Sequence, residues 1–168
     1  MRTKRTVFYL CVLFLAILTI TGCKKNDDAE KGKSNYLDYA GTTHEVTNAA
    51  QLFYGHYFGS NSNNVSLILA TDEHYVGFEM FIPNSETKIV AGVYQPSDNY
   101  QSFTLAGGVI VDDGGSIVYS MKTATVTVKL SGNTYTIDID GKLDDDSSIK
   151  GNYTGPIVWE DDSDSSPS

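Results

Sequence analysis

The feature that most constrains this chain is a two-residue alternation. From Thr123 to Leu130, Ala124, Val126, Val128 and Leu130 fall on one side and Thr123, Thr125, Thr127 and Lys129 on the other. Successive side chains of a strand point to opposite faces, whereas a helix repeats every 3.6 residues, so the pattern predicts a half-buried strand. Ser131-Gly132-Asn133 follows and supplies a tight turn where positive φ is cheap. Alternation then resumes. Tyr135, Ile137, Ile139 and Leu143 share the dry face, with Gly141 among them, and Thr134, Thr136, Asp138, Asp140 and Lys142 take the wet one. Asp144 to Ser148 turns the chain again, and Ile149, Tyr153, Ile157 and Trp159 line one side of a last strand.

Upstream the same pattern is weaker. Tyr36 to Val46 reads as a hairpin turning at Ala40-Gly41, and Leu52 to Phe58 as an aromatic-rich strand. Val65 to Thr71 and Tyr75 to Ile82 read as strands joined at Asp72-Glu73-His74. Shorter strands are predicted over Ile89–Tyr94, Gln101–Leu105, Val109–Val111 and Ile117–Met121. Thr47 to Gln51 reads as the start of a helical turn with Thr47 or Asn48 as N-cap. Pro83, Pro96 and Pro156 fall at strand ends or on an edge, where the missing N–H does no harm. The expected fold is all-β, an antiparallel meander of about eight to ten strands. Such a sheet must bury one face and protect its edges, which favours a barrel-like closure over a two-sheet sandwich.

The front of the chain reads differently. Met1 to Arg5 is basic, and Val7 to Ile20 is an uncharged apolar run of fourteen residues. As a helix it would be about 21 Å long, short of the roughly 30 Å core of a bilayer. A basic segment before a short apolar one is the pattern of a secretory signal. Ile20-Thr21-Gly22-Cys23 then resembles the lipobox of bacterial lipoproteins. That resemblance implies cleavage between Gly22 and Cys23 and diacylglycerol, with a further acyl chain such as palmitate, on Cys23. Two or three acyl chains hold a protein at a membrane firmly, whereas one is marginal. The other cysteine, Cys11, lies within the signal, so the matured chain has no pair of thiols for a disulfide.

Residues 23–34 are expected to be the lipidated cysteine and a flexible tether. Lys24 to Lys33 reads KKNDDAEKGK and has no large apolar side chain to offset ordering entropy. Its acidic cluster, Asp27, Asp28 and Glu30, is similar to the surface-export signal of Bacteroidota lipoproteins. A plain solvated linker fits the same residues, so an outer-membrane anchor facing either compartment stays open. Residues 35–159 form the expected β domain and the acidic, Ser-rich 160–168 the expected disordered tail. Loss of the signal removes three basic residues and no acidic one, which leaves nine against 21 and a formal charge of −12. Such a chain is repelled by phosphate backbones, and no nucleic-acid partner is expected.

The run Ala124 to Asp140, followed by Ser148-Ile-Lys-Gly-Asn-Tyr-Thr-Gly155, resembles the C-terminal half of many uncharacterised Bacteroidota lipoproteins. Tyr39-Ala-Gly-Thr-Thr-His-Glu-Val46 resembles their first hairpin. The resemblance implies a lipocalin-like or calycin-like barrel. It implies no catalytic residues, because the shared motifs are strands and turns.

No constellation points to chemistry. His44, His56 and His74 lie at no local metal-ligand spacing and read as solvated turn residues, so no metal site and no cofactor are expected. Asp138, Asp140 and Asp144 fail the EF-hand spacing because Gly141 directly follows Asp140. There is no G-x-S-x-G nucleophile, and Gly107-Gly108 and Gly114-Gly115 are isolated pairs. The suggestive feature is aromatic: Phe53, Tyr54, Tyr57, Phe58 and Trp159 are candidate ligand or partner contacts, since such rings combine a stacking face with a polar handle. The expected function is a non-enzymatic, membrane-anchored module that binds a small ligand, such as an apolar one within a barrel, or binds through its surface. The alternative is an adhesion or accessory protein that docks a glycan or an outer-membrane partner. A hydrolase would need one of the histidines beside a carboxylate in a cleft.

Overall fold

The computed structural model describes residues 35–57 and 59–161. These form eleven strands: β1 (Tyr36–Tyr39), β2 (Thr42–Glu45), β3 (Asn48–His56), β4 (Ser62–Ala70), β5 (His74–Pro83), β6 (Gly92–Pro96), β7 (Thr104–Asp112), β8 (Ile117–Ser131), β9 (Thr134–Leu143), β10 (Ser148–Gly155) and β11 (Val158–Asp161). They join into one curled sheet, in the order β11-β3-β4-β5-β7-β6-β8-β9-β10-β1-β2, with β7 also bonded to β8. The fold is all-β and barrel-like, as the alternation predicts. The expected signal and tether, with Gly22 and Cys23, lie outside the described residues, as do Phe58 and residues 162–168.

The sheet is mixed rather than a pure antiparallel meander. β11 runs parallel to β3, with Val158 opposite Ala50 and Trp159 opposite Gln51. β6 is parallel to β7 and antiparallel to β8. It occupies the gap left where β7 and β8, paired only between Val109–Val111 and Ile117–Ser120, separate.

Several predicted boundaries shift for physical reasons. The helical turn predicted over Thr47–Gln51 is instead strand: Asn48 to Gln51 pair with Ala70 to Leu67 of β4. Ala49, Ala50 and Gln51 are all buried, so ladder formation and burial on both faces outweigh the cap signal. The pieces predicted over Gln101–Leu105 and Val109–Val111 merge into β7, and those over Ile117–Met121 and Thr123–Leu130 merge into β8. Each merger runs through a bulge, between Glu79 and Met80 opposite β7 and between Met121 and Thr123 in β8. A bulge interrupts the two-residue period without ending the strand. The predicted last strand breaks in two around Pro156. Glu160 and Asp161, expected in the tail, continue β11.

The curl has a dry inside. Leu37, Phe78, Met80, Tyr94, Ile110, Val126, Ile137, Leu143 and Ile149 belong to one contiguous cluster of buried side chains that draws on most strands. The predicted dry faces of β8 and β9 both take part, except that Leu130 at the end of β8 is exposed. Gly141 faces the β8 bulge, where a Cβ would stand 2.3 Å from the Thr123 carbonyl oxygen; only glycine allows the strands to approach there. A smaller cluster, Leu52, Ile68 and Val111 with Tyr54, Tyr75 and Val109 against it, is built from positions that alternate with the inward ones on β3, β4 and β7.

Candidate functional site

Two hairpins and one short turn bring together residues that lie far apart in sequence. Ala40 and Gly41 have φ of 50° and 77°, the two consecutive positive values of a tight hairpin turn whose twist suits paired strands. That turn sets the register: Tyr39 faces Thr42, and Leu37 faces His44. Leu37 is wholly buried, so His44 points inward with it, diagonally adjacent to Tyr39. The imidazole of His44 is 7% exposed and stacks on the Tyr39 ring at 4.3 Å and 13°.

The β4–β5 turn delivers the other half. The Thr71 hydroxyl accepts the His74 backbone N–H at 2.9 Å and donates to the His74 carbonyl at 3.0 Å, while the Thr71 N–H donates to that carbonyl at 2.8 Å. This closed turn fixes His74 at the first position of β5. Its ring stands edge-on to His44, centroids 5.5 Å apart at 82°. The Tyr39 hydroxyl lies 2.8 Å from His74 Nδ1. Glu73, in the same turn, places Oε2 3.8 Å from His44 Nδ1. One ligand atom from each of His44, Glu73 and His74 lies within 4.8 Å of the others. Tyr119 closes the group with its ring 6.5 Å from that of Tyr39.

Burial dominates the electrostatics of Tyr39 and pushes its hydroxyl up to about 12; the Thr71 hydroxyl draws it back in part, and the nearby charges of Glu73 and Asp72 add to the rise. The phenol therefore stays protonated at neutral pH and serves as a neutral hydrogen-bonding group. Two imidazoles and one carboxylate around a common point are the side chains that hold a borderline divalent cation.

Spacing along the chain gave no sign of this arrangement. His44 and His74 were expected as separate solvated residues; the structure buries one and sets the other against it. His56 is the exception and stays exposed at the end of β3. It pairs with Asn63, which in turn faces Ile82, eight residues along β5 from His74, or roughly 26 Å.

The aromatic candidates do not converge on one platform. Phe53 is in the main core. Tyr54 packs against the Leu52–Ile68–Val111 cluster. Tyr57 stands at the opposite rim, where it meets Phe81 at 5.1 Å and Tyr100 at 5.0 Å. Trp159 is 41% exposed on β11; its Nε1 donates to the Thr87 carbonyl at 3.4 Å, and Lys88 Nζ lies 5.7 Å from its ring centroid. Compared with protein-family models, with curated proteins and with solved structures, the chain matches none.

Proposed function

We propose that this protein is a lipid-anchored, non-enzymatic binding module of the outer membrane, and that it binds at its rim and outer surface rather than inside its barrel. The observation that carries the reading is the sequence Ile20-Thr21-Gly22-Cys23, followed by a charged polar stretch and then an alternating β domain. A double or triple acyl anchor on Cys23 would hold the domain at the bilayer without a membrane-spanning segment.

The contiguous inner cluster supports surface binding over carriage. Large side chains such as Phe78, Tyr94 and Met80 take up the space an enclosed apolar ligand would need. The rim does set His44 beside the Glu73 carboxylate at 3.8 Å, the pairing a hydrolase would need, but its hydroxyl chemistry favours binding. The hydroxyl bonded to an imidazole there is that of Tyr39, whose raised proton affinity makes it a poor nucleophile at neutral pH.

Metabolic labelling with radioactive palmitate tests the anchor. The full chain should take up label and partition with membranes, and Cys23→Ser should lose both. A Cys23→Ser chain that still carries label, or that stays with membranes unchanged, overturns the reading. Native mass spectrometry tests the filled interior. The expected spectrum shows the acylated chain with no bound apolar molecule, and a stoichiometric co-purifying apolar molecule counts against rim binding.

A further inference from the structure

We propose that His44, His74 and Glu73 form a site for one divalent cation of the Zn²⁺ class at the rim of the sheet, with Tyr39 as the residue that positions both imidazoles. Two imidazoles bound tetrahedrally to one zinc, with Zn–N of about 2.05 Å, have ring centroids about 5.2 Å apart. His44 and His74 stand at 5.5 Å and nearly perpendicular, already close to that separation. Ligand atoms on such an ion lie about 3.3 Å apart. Here the three donors fall within 4.8 Å of one another, and His44 Nδ1 and Glu73 Oε2 stand 3.8 Å apart. Glu73 is 65% exposed in a short turn, so an inward movement of its side chain would uncover no packed surface.

The chemistry of the donors selects the ion. Imidazole nitrogen suits Zn²⁺, Cu²⁺ and Ni²⁺, whereas Ca²⁺ and Mg²⁺ demand mostly oxygen ligands. Three protein ligands leave a fourth position for water or for a group from a partner. The outer support is present as well. Tyr39 holds His74 Nδ1 through its hydroxyl and covers the face of His44 with its ring, the kind of contact that fixes a ligating imidazole. Asp72, beside Glu73, adds negative charge that favours a cation.

The location gives the ion a structural consequence. His44 belongs to β2, the last strand at one edge of the sheet order, and Glu73 and His74 belong to the β4–β5 connection near the other edge. The chain itself crosses between the two edges nearby: Val46 N–H donates to the Asn35 carbonyl at 2.8 Å and ends the β1–β2 hairpin, and the next residue, Thr47, donates its N–H to the Ala70 carbonyl at 2.8 Å and extends the β3–β4 ladder. An ion shared by β2 and the β4–β5 turn would fasten this seam, and a ligand that binds the folded state alone stabilises it by mass action.

The test uses the full chain in detergent, stripped with a chelator and titrated with Zn²⁺ alone, by equilibrium dialysis with elemental analysis and by thermal unfolding. The expected result is one Zn²⁺ per chain and a melting temperature that rises with Zn²⁺. Glu73→Gln, in an exposed turn where loss of folding is not expected, should weaken binding at least tenfold. His74→Gln should abolish the Zn²⁺-dependent rise in melting temperature, and His56→Gln should leave binding unchanged. Absence of saturable binding overturns the proposal. So does Zn²⁺ binding that Glu73→Gln and His74→Gln leave at wild-type strength, which would place the ion on other groups of the chain.

Discussion

The two rims of the curled sheet are both closed by aromatic rings, but with opposite chemistry. At the rim that holds the β1–β2 and β4–β5 turns, Tyr39 and Tyr119 surround two imidazoles, with Glu73 beside them. At the other, Tyr57, Phe81 and Tyr100 meet pairwise at 5.0–5.2 Å, and Tyr94 meets Phe103 at 5.5 Å. Ring packing is enough to seal the second rim. The first gives part of its burial to groups that require hydrogen bonds or charge partners, which adds little to stability and is the feature on which the proposed cation site rests.

The comparison makes graded predictions. The largest effect is expected at the apolar rim: Phe81 is completely buried, so Phe81→Ala should cost about 3–5 kcal/mol in denaturant unfolding. A loss below about 1 kcal/mol would show that the ring trio does not seal that end. At the polar rim, Tyr39→Phe keeps the stack on His44 and removes only the hydroxyl at His74 Nδ1. The metal-free protein should lose about 1–2 kcal/mol, the cost of leaving a partly buried polar atom unpaired. An unchanged midpoint would mean that water replaces the hydroxyl.

A smaller and pH-dependent effect is expected away from both rims. Burial raises Glu79 above its ordinary 4.5, and the Asn64 side chain, which donates to its Oε1 at 2.7 Å, offsets part of the rise. Asn64 Oδ1 is itself buried without a donor among the described residues, and a protonated Glu79 would supply one. The sign follows from linkage: the folded state binds this proton more tightly than the unfolded state, so stability falls as pH rises from the ordinary carboxylate value through the raised one. Glu79→Gln should therefore stabilise the protein at neutral pH, and its advantage should vanish below the ordinary carboxylate value. An advantage that persists at acid pH would point to packing instead of ionisation. The smallest effect is expected for Lys122→Ala, which breaks an exposed ion pair with Asp146; unfolding should shift by no more than about 0.5 kcal/mol.

How much of this was legible depends on the range of the interaction involved. The β8–β9 hairpin lay open in the sequence because alternation, turn residues and the partner strand all fall within Thr123–Leu143. The β1–β2 hairpin was equally local. The Thr47–Gln51 segment was misread because its cap residues are local, whereas its partner Leu67–Ala70 is some twenty residues on. The rim cluster escaped for the same reason. Nothing near His44 indicates His74; they lie toward opposite ends of the strand order, and only the curl of the sheet makes them neighbours. The aromatic candidates show the reverse error: nearness in sequence put Phe53, Tyr54 and Tyr57 together, but adjacent strand positions face opposite sides.

By itself the sequence determined that the body is β, which residues of its best strands face inward, and where its tightest hairpins turn. It also carries the Cys23 motif on which the proposed anchoring rests. Only the tertiary structure decided that β6 fits between β7 and β8, that β11 returns to lie parallel to β3, and that two histidines thirty residues apart share one rim. A two-residue period tells a side chain which face to take; the choice of partner strand comes from burying those faces together, and that choice brings distant chemistry into contact.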